Sequence, residues 1–321
     1  MNIRRRRSTA AVASTAALGL LVLSACSTSG GARTADGRLR VAASFYPLQF
    51  LAEQIGGKHV EVSNLTKPGA EPHDLALTPK QTAQLGESGA IVYLKGLQPA
   101  VDDAVAQSGA KNVADAASLT RLEKHGTEVD GHHHTTGDNH AGHSDEAGGN
   151  DPHVWLDPVK FAEVAKGVGA TLAKADPHHK ADYRKNTDAL VKRLNGLNDA
   201  FRDGLRNKAS GTFLTTHAAF GYLAERYGLT EEAISGLDPE SEPSAHRIKD
   251  LHALAAEHHV STVFFETIAN PATAKSLAGD LHLKTDVLDP LEGITGKSRG
   301  KDYFGVMRAN LAALQKALGT K

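Results

Sequence analysis

The chain has 321 residues, with 36 lysines and arginines against 37 aspartates and glutamates and a formal charge of −1. That balance excludes the basic footprint of a nucleic-acid or anionic-membrane binder. The single cysteine, Cys26, excludes an internal disulfide and a thiolate metal site in the folded body, and the length suits two domains rather than one ordinary core.

Residues 1–25 combine a four-arginine start with an apolar stretch too short to span a bilayer, the pattern of an export signal. The ending Leu23-Ser24-Ala25-Cys26 is similar to a bacterial lipobox, which implies a lipid on Cys26 and an extracytoplasmic protein anchored to the outer face of the cell membrane. Removing residues 1–25 takes away four arginines and no acid, so the formal charge moves from −1 to −5. Residues 26–38 are small and polar, as in a flexible tether.

Beyond the tether, β-branched runs at 39–44, 59–65 and 90–94 alternate with helical patterns at 46–56, 79–87 and 97–107. Such alternation predicts a parallel sheet covered by helices. A second set follows residue 210, with strands at 212–217, 261–266 and 283–289 and helices near 219–227, 244–257 and 271–280. Between the sets, Tyr183, Ala189, Leu190, Leu194, Leu197, Phe201 and Leu205 recur mostly at three- and four-residue steps, predicting one helix over 178–207 after the Asp176-Pro177 start. At about 1.5 Å per residue it reaches about 45 Å; a break at Gly196 into two helices is the alternative. The expected fold class is α/β, with two lobes, each a parallel sheet covered by helices, joined by one long helix. The expected domains are a signal at 1–25, a tether at 26–38, an N-terminal lobe at 39–177, the linking helix at 178–207 and a C-terminal lobe at 208–321.

Three histidines stand beside turns or strand ends. His73 follows Glu71-Pro72 in a loop, His153 lies between two Asp-Pro turns in DPHVWLDP, and His217 ends the run TFLTTH. Open α/β sheets bind ligands at the carboxyl ends of their strands. Asp289 ends another predicted strand, with Asp286 and Glu292 nearby as substitutes. Imidazoles drawn from distant segments and completed by one carboxylate suit a borderline-soft divalent ion, zinc first. A further segment, 125–146, gathers His125, His132, His133, His134, His140 and His143 among Asp138, Asp145 and Glu146, a composition suited to a mobile, weak, multi-site zinc collector.

The stretches EPHDLALTP, DPHVWLDP, TTHAAFGYLAERYGL, SEPSAHR and VLDPL, in this order, resemble the metal-specific solute-binding proteins of ABC importers, over about residues 39–319. The resemblance implies two lobes with little relative movement and one metal in the cleft. It implies His73, His153 and His217 as ligands, with Asp289 as the acidic fourth. It points to Zn2+ rather than manganese, because manganese members tend to carry a carboxylate where this chain has His217. Some zinc members place a glutamate directly before the first histidine; here that residue is Pro72, which cannot ligate and leaves Asp289 or water as the fourth group. The histidine-rich segment also resembles a loop of zinc-type members. The implied partners are the ABC permease of a zinc importer, a metallochaperone donor and the membrane through Cys26, with a monomeric chain and no nucleic acid.

Rival readings are a manganese-binding member of that family, a lipid-anchored zinc hydrolase and an adhesin. The hydrolase requires an open coordination position, and no general base is placed by the sequence. Gly293 to Ser298 hints at a phosphate loop, but the pattern needs glycine at position 291, which is Leu291. The run His252 to His259 has no zinc-protease spacing.

Overall fold

The computed structural model describes residues 31–126, 149–268 and 271–320. Cys26 and five of the six clustered histidines, His132, His133, His134, His140 and His143, lie outside the described residues.

Two four-stranded parallel sheets form the two lobes. The first has the order β2-β1-β3-β4, built from β1 (Leu39–Ala43), β2 (Val60–Asn64), β3 (Ala90–Tyr93) and β4 (Val113–Asp115). The second has the order β6-β5-β7-β8, from β5 (Thr212–His217), β6 (Thr230–Ser235), β7 (Thr262–Phe265) and β8 (Lys284–Val287). The expected strands and helices fall within a residue or two of their places. The expectations omit the edge strands β4 and β6; β6 opens with Thr230-Glu231-Glu232, whose acids interrupt the apolar run, Glu231 accepting from the Thr215 hydroxyl and the Phe220 amide and Glu232 pairing with Arg247. They also omit the last helix, α10 (Tyr303–Leu318), which Asp302 caps by accepting from the Gly305 amide.

In chain order the other helices are α1 (Tyr46–Gly56), α2 (Pro79–Glu87), α3 (Pro99–Gln107), α4 (Ala116–Leu119), α5 (Pro158–Ala175), α6 (Lys180–Gly204), α7 (Gly221–Tyr227), α8 (Ala245–Glu257) and α9 (Ala272–Asp280). The linking helix is α6. It is unbroken at Gly196, but it has 25 residues rather than 30, because Pro177–His179 form a separate 3-10 turn and the helix ends at Gly204. Its length is therefore about 37 Å. Tyr183, Thr187, Leu190, Leu194, Leu197 and Phe201 make its buried stripe. Where α5 crosses it, a Cβ on Gly169 would lie 2.2 Å from Thr187 Oγ1, so the two helices meet through a glycine.

One continuous apolar cluster runs from Leu39 and Phe50 of the first lobe through Leu194 and Phe201 of α6 to Phe213, Tyr303 and Phe304 of the second. Phe50 stacks on Tyr303 with ring centroids 5.4 Å apart, and the Tyr303 hydroxyl donates to the Trp155 carbonyl at 2.7 Å. The lobes thus share a core. Among the described residues no helix is long and apolar enough to cross a membrane.

Candidate metal centre

Four side chains from four separate segments meet between the lobes. His73 comes from the loop between β2 and α2, His153 from the turn ahead of α5, His217 from the last position of β5, and Glu292 from the segment after β8. Their donor atoms all lie within 4.8 Å of one another. The Nε2 atoms of His73, His153 and His217 stand 3.3, 3.3 and 3.4 Å from a single oxygen, Glu292 Oε1. The rings of His153 and His217 and the Glu292 side chain are almost wholly buried, whereas the His73 side chain is 12% exposed.

Two of these atoms lack a partner. Nε2 of His153 and Nε2 of His217 are buried without a hydrogen bond, since their approach to Glu292 falls outside hydrogen-bond geometry. Buried polar groups are almost always satisfied, so two unpartnered ring nitrogens converging on one carboxylate oxygen mark a place for a cation. The spacing fits. A tetrahedral ion bonded to nitrogen and oxygen at about 2.0–2.1 Å separates its ligand atoms by about 3.3–3.4 Å.

Carboxylates behind the rings fix which nitrogen faces inward. Asp151, two residues before His153, accepts the His153 backbone N–H at 2.9 Å and Nδ1 at 2.7 Å through the same oxygen. Glu266, just past β7, lies 2.6 Å from His217 Nδ1 and also takes the Thr216 hydroxyl. Each carboxylate holds the proton on Nδ1 and turns Nε2 toward the centre, the usual support for a metal-binding imidazole. Glu71 Oε1 accepts the His73 backbone N–H at 3.1 Å and ties down the first loop.

The same contacts set the charge states. Burial alone would lower the His153 pKa, but Asp151 and Glu292 outweigh it and push it up to about 9. His217 is likewise held well above its ordinary value, Glu266 and Glu292 overcoming its burial. Burial would raise the Glu292 carboxyl, yet the surrounding imidazoles hold it well below the usual range.

Asp289, the expected acidic fourth member, is not among the four. Its Oδ1 accepts the Leu291 N–H at 2.9 Å and its Oδ2 the Thr267 hydroxyl at 3.0 Å. Asn310 clamps its backbone from both sides, Oδ1 accepting the Asp289 N–H and Nδ2 donating to the Asp289 carbonyl. Leu291 then takes a φ of 60°, rare for a residue with a branched side chain, and the Trp155 indole N–H holds the Pro290 carbonyl at 2.6 Å. The turn that Asp289 caps aims Glu292 inward. Asp286, the other nearby acid, pairs outward with Arg299 and Lys316. His125 is not in the cleft either; it lies against Asp151 and Glu225. Glu292 is one of the two acids expected as substitutes for Asp289, whereas Asp151 and Glu266 carry no assignment from the sequence; the spacing Asp151-Pro152-His153 is the one available signal, an acid able to turn back on the histidine two residues on.

With this geometry in view, the comparisons with known proteins decide the family. The profile described as "Zinc-uptake complex component A periplasmic" matches residues 41–317. The chain belongs to that family. It is 33% identical to the high-affinity zinc uptake system protein ZnuA of Bacillus subtilis, covering 94% of this chain and 98% of that protein. It is also 33% identical to the zinc-binding lipoprotein AdcA of Streptococcus pneumoniae, over 94% of this chain but only 59% of AdcA, so the chain spans about three fifths of that relative's length. Among solved structures it is similar to the Zn(II)-bound ZnuA-like domain of S. pneumoniae AdcA, with TM-score 0.70, 31% identity, and 88% and 99% of the two chains covered. It is similar as well to the laminin-binding protein Lmb of Streptococcus agalactiae, described as a bifunctional adhesin and metal transporter, with TM-score 0.75, 30% identity, and 87% and 99% covered.

Proposed function

We propose that the chain is the extracytoplasmic zinc-binding component of an ABC importer, holding one Zn2+ in the cleft through His73, His153, His217 and Glu292 and delivering it to a permease. The observation that carries this reading is the convergence of three Nε2 atoms on one buried carboxylate oxygen at tetrahedral spacing. Three nitrogens and one oxygen favour zinc over manganese, by ligand softness and by the Irving–Williams order. Four protein donors close the coordination sphere, whereas catalytic zinc keeps a position for water, so this cleft suits cargo rather than hydrolysis. The family and the zinc-named relatives support the same reading.

The test is growth and zinc uptake of a strain lacking the protein under zinc limitation. The wild-type chain is expected to restore both, and His217→Ala to restore neither while expressing at a normal level. Rescue by His217→Ala would overturn the assignment.

The chain acts as a monomer tethered by lipid on Cys26, with the histidines His132, His133, His134, His140 and His143 collecting zinc weakly and a metallochaperone as a second source. Cys26→Ala is expected to move the protein from the membrane fraction to the soluble one with unchanged zinc stoichiometry. Retention in the membrane fraction would contradict the lipid anchor.

A further inference from the structure

Behind the cleft the chain repeats the same chemistry. Asp151 uses its second oxygen, Oδ2, to hold His125 Nδ1 at 3.0 Å, so a single buried carboxylate orients two imidazoles that face opposite ways. His153 Nε2 faces Glu292; His125 Nε2 faces Glu225 Oε2, at 3.1 Å. Glu123 completes the second group, and the donor atoms of Glu123, His125 and Glu225 lie within 4.8 Å of one another.

This group is built on fixed supports. The Asp151 N–H donates to the Glu123 carbonyl at 2.8 Å, the Glu123 N–H to the Tyr222 hydroxyl at 2.7 Å, and that hydroxyl to the Asp151 carbonyl at 2.8 Å. His125 packs edge-on to Tyr222 with centroids 4.5 Å apart, and a Cβ on Gly221 would come within 2.3 Å of the His125 Cβ, so only glycine admits the ring. Glu225 stands on α7 three residues after Tyr222, on the same side of the helix. His125 is therefore an anchored residue, and its Nδ1 proton is committed to Asp151, which leaves Nε2 as the donor. Lys160 also bonds Glu123 Oε1, at 3.1 Å, a competing cation that weakens the group without filling it.

We infer that Glu123, His125 and Glu225 form a second, weaker site for a divalent ion of the zinc type, outside the cleft and sharing Asp151 with it. One imidazole and two carboxylates satisfy zinc chemically. With three protein donors and the Glu225 side chain 60% exposed, the site keeps positions open to water and to exchange. It is a staging point for an ion at the surface, and its existence does not depend on the identity of the cleft ion.

The experiment uses the full chain with His132, His133, His134, His140 and His143 all changed to alanine, metal-free and labelled with 15N-histidine, titrated with Zn2+ alone. The first equivalent should shift the Nε2 resonances of His73, His153 and His217, and the second that of His125. Adding Glu123→Gln and Glu225→Gln should weaken the second event at least about tenfold and leave the first unchanged; Glu225→Gln alone serves should the double variant fold poorly. A His125 Nε2 resonance unmoved at two equivalents, or a second event as strong in the glutamine variants, overturns the inference. Failure of the cleft reading would instead remove the first event.

Discussion

Glu292→Gln is expected to abolish tight zinc binding in practical terms, weakening it by more than about 100-fold, because even partners behind the ligands cost about 10–100-fold when removed. The glutamine keeps the shape of the side chain but gives up the charge on which three Nε2 atoms converge. Asp289→Asn is the discriminating companion. Asparagine can still accept the Leu291 amide and meet the Thr267 hydroxyl, so the affinity should stay within about tenfold of wild type, the lower edge of the range for supporting residues. Competition with a chromophoric chelator measures both. The reverse ranking would return the ligand role to Asp289.

That pair of residues shows how far sequence alone carries. Strand-ending His217 and the Asp-Pro-bracketed His153 were legible because their neighbours fix the backbone around them. The two sheets and α6 were legible from periodicity, which depends only on local spacing. The choice between Asp289 and Glu292 was not, because it turns on one backbone angle, the φ of 60° at Leu291, and that angle is stabilised by contacts from Asn310, Trp155 and Thr267 far along the chain. For the same reason His125 reads in sequence as one member of a histidine-rich run, while in the structure it packs on Tyr222 and Gly221.

Zinc affinity is expected to keep rising from about pH 6 to about pH 9 rather than levelling near the ordinary histidine pKa of about 6.5. Asp151 and Glu292 lift His153 to about 9 against the effect of burial, and His217 is raised as well, so the ion must displace protons across that whole window. Calorimetry at pH 7 in buffers of different ionisation enthalpy should show at least one proton released per zinc bound. The free protein behaves oppositely. Its raised histidines contribute stability that is full below about pH 6.5 and is lost as pH climbs through about 9 for His153. The depressed Glu292 contributes stability present above about pH 4.3 and lost as pH falls through its lowered value. The rise in Tm on adding zinc should therefore widen between about pH 6 and 9. A constant Tm shift with no buffer dependence would contradict these charge states.

The apolar cluster that runs unbroken from Phe50 to Tyr303, with α6 along its side, has a consequence for how an ion in the cleft would leave. Parting the lobes would expose a packed interior, so loss of a bound ion is expected to begin with one donor rather than with hinge opening. Of the four, only His73 touches solvent and rides on a loop rather than on a strand end or a clamped turn. Of the four donors, the cleft thus meets solvent through one, on the loop that carries Pro72 and His73.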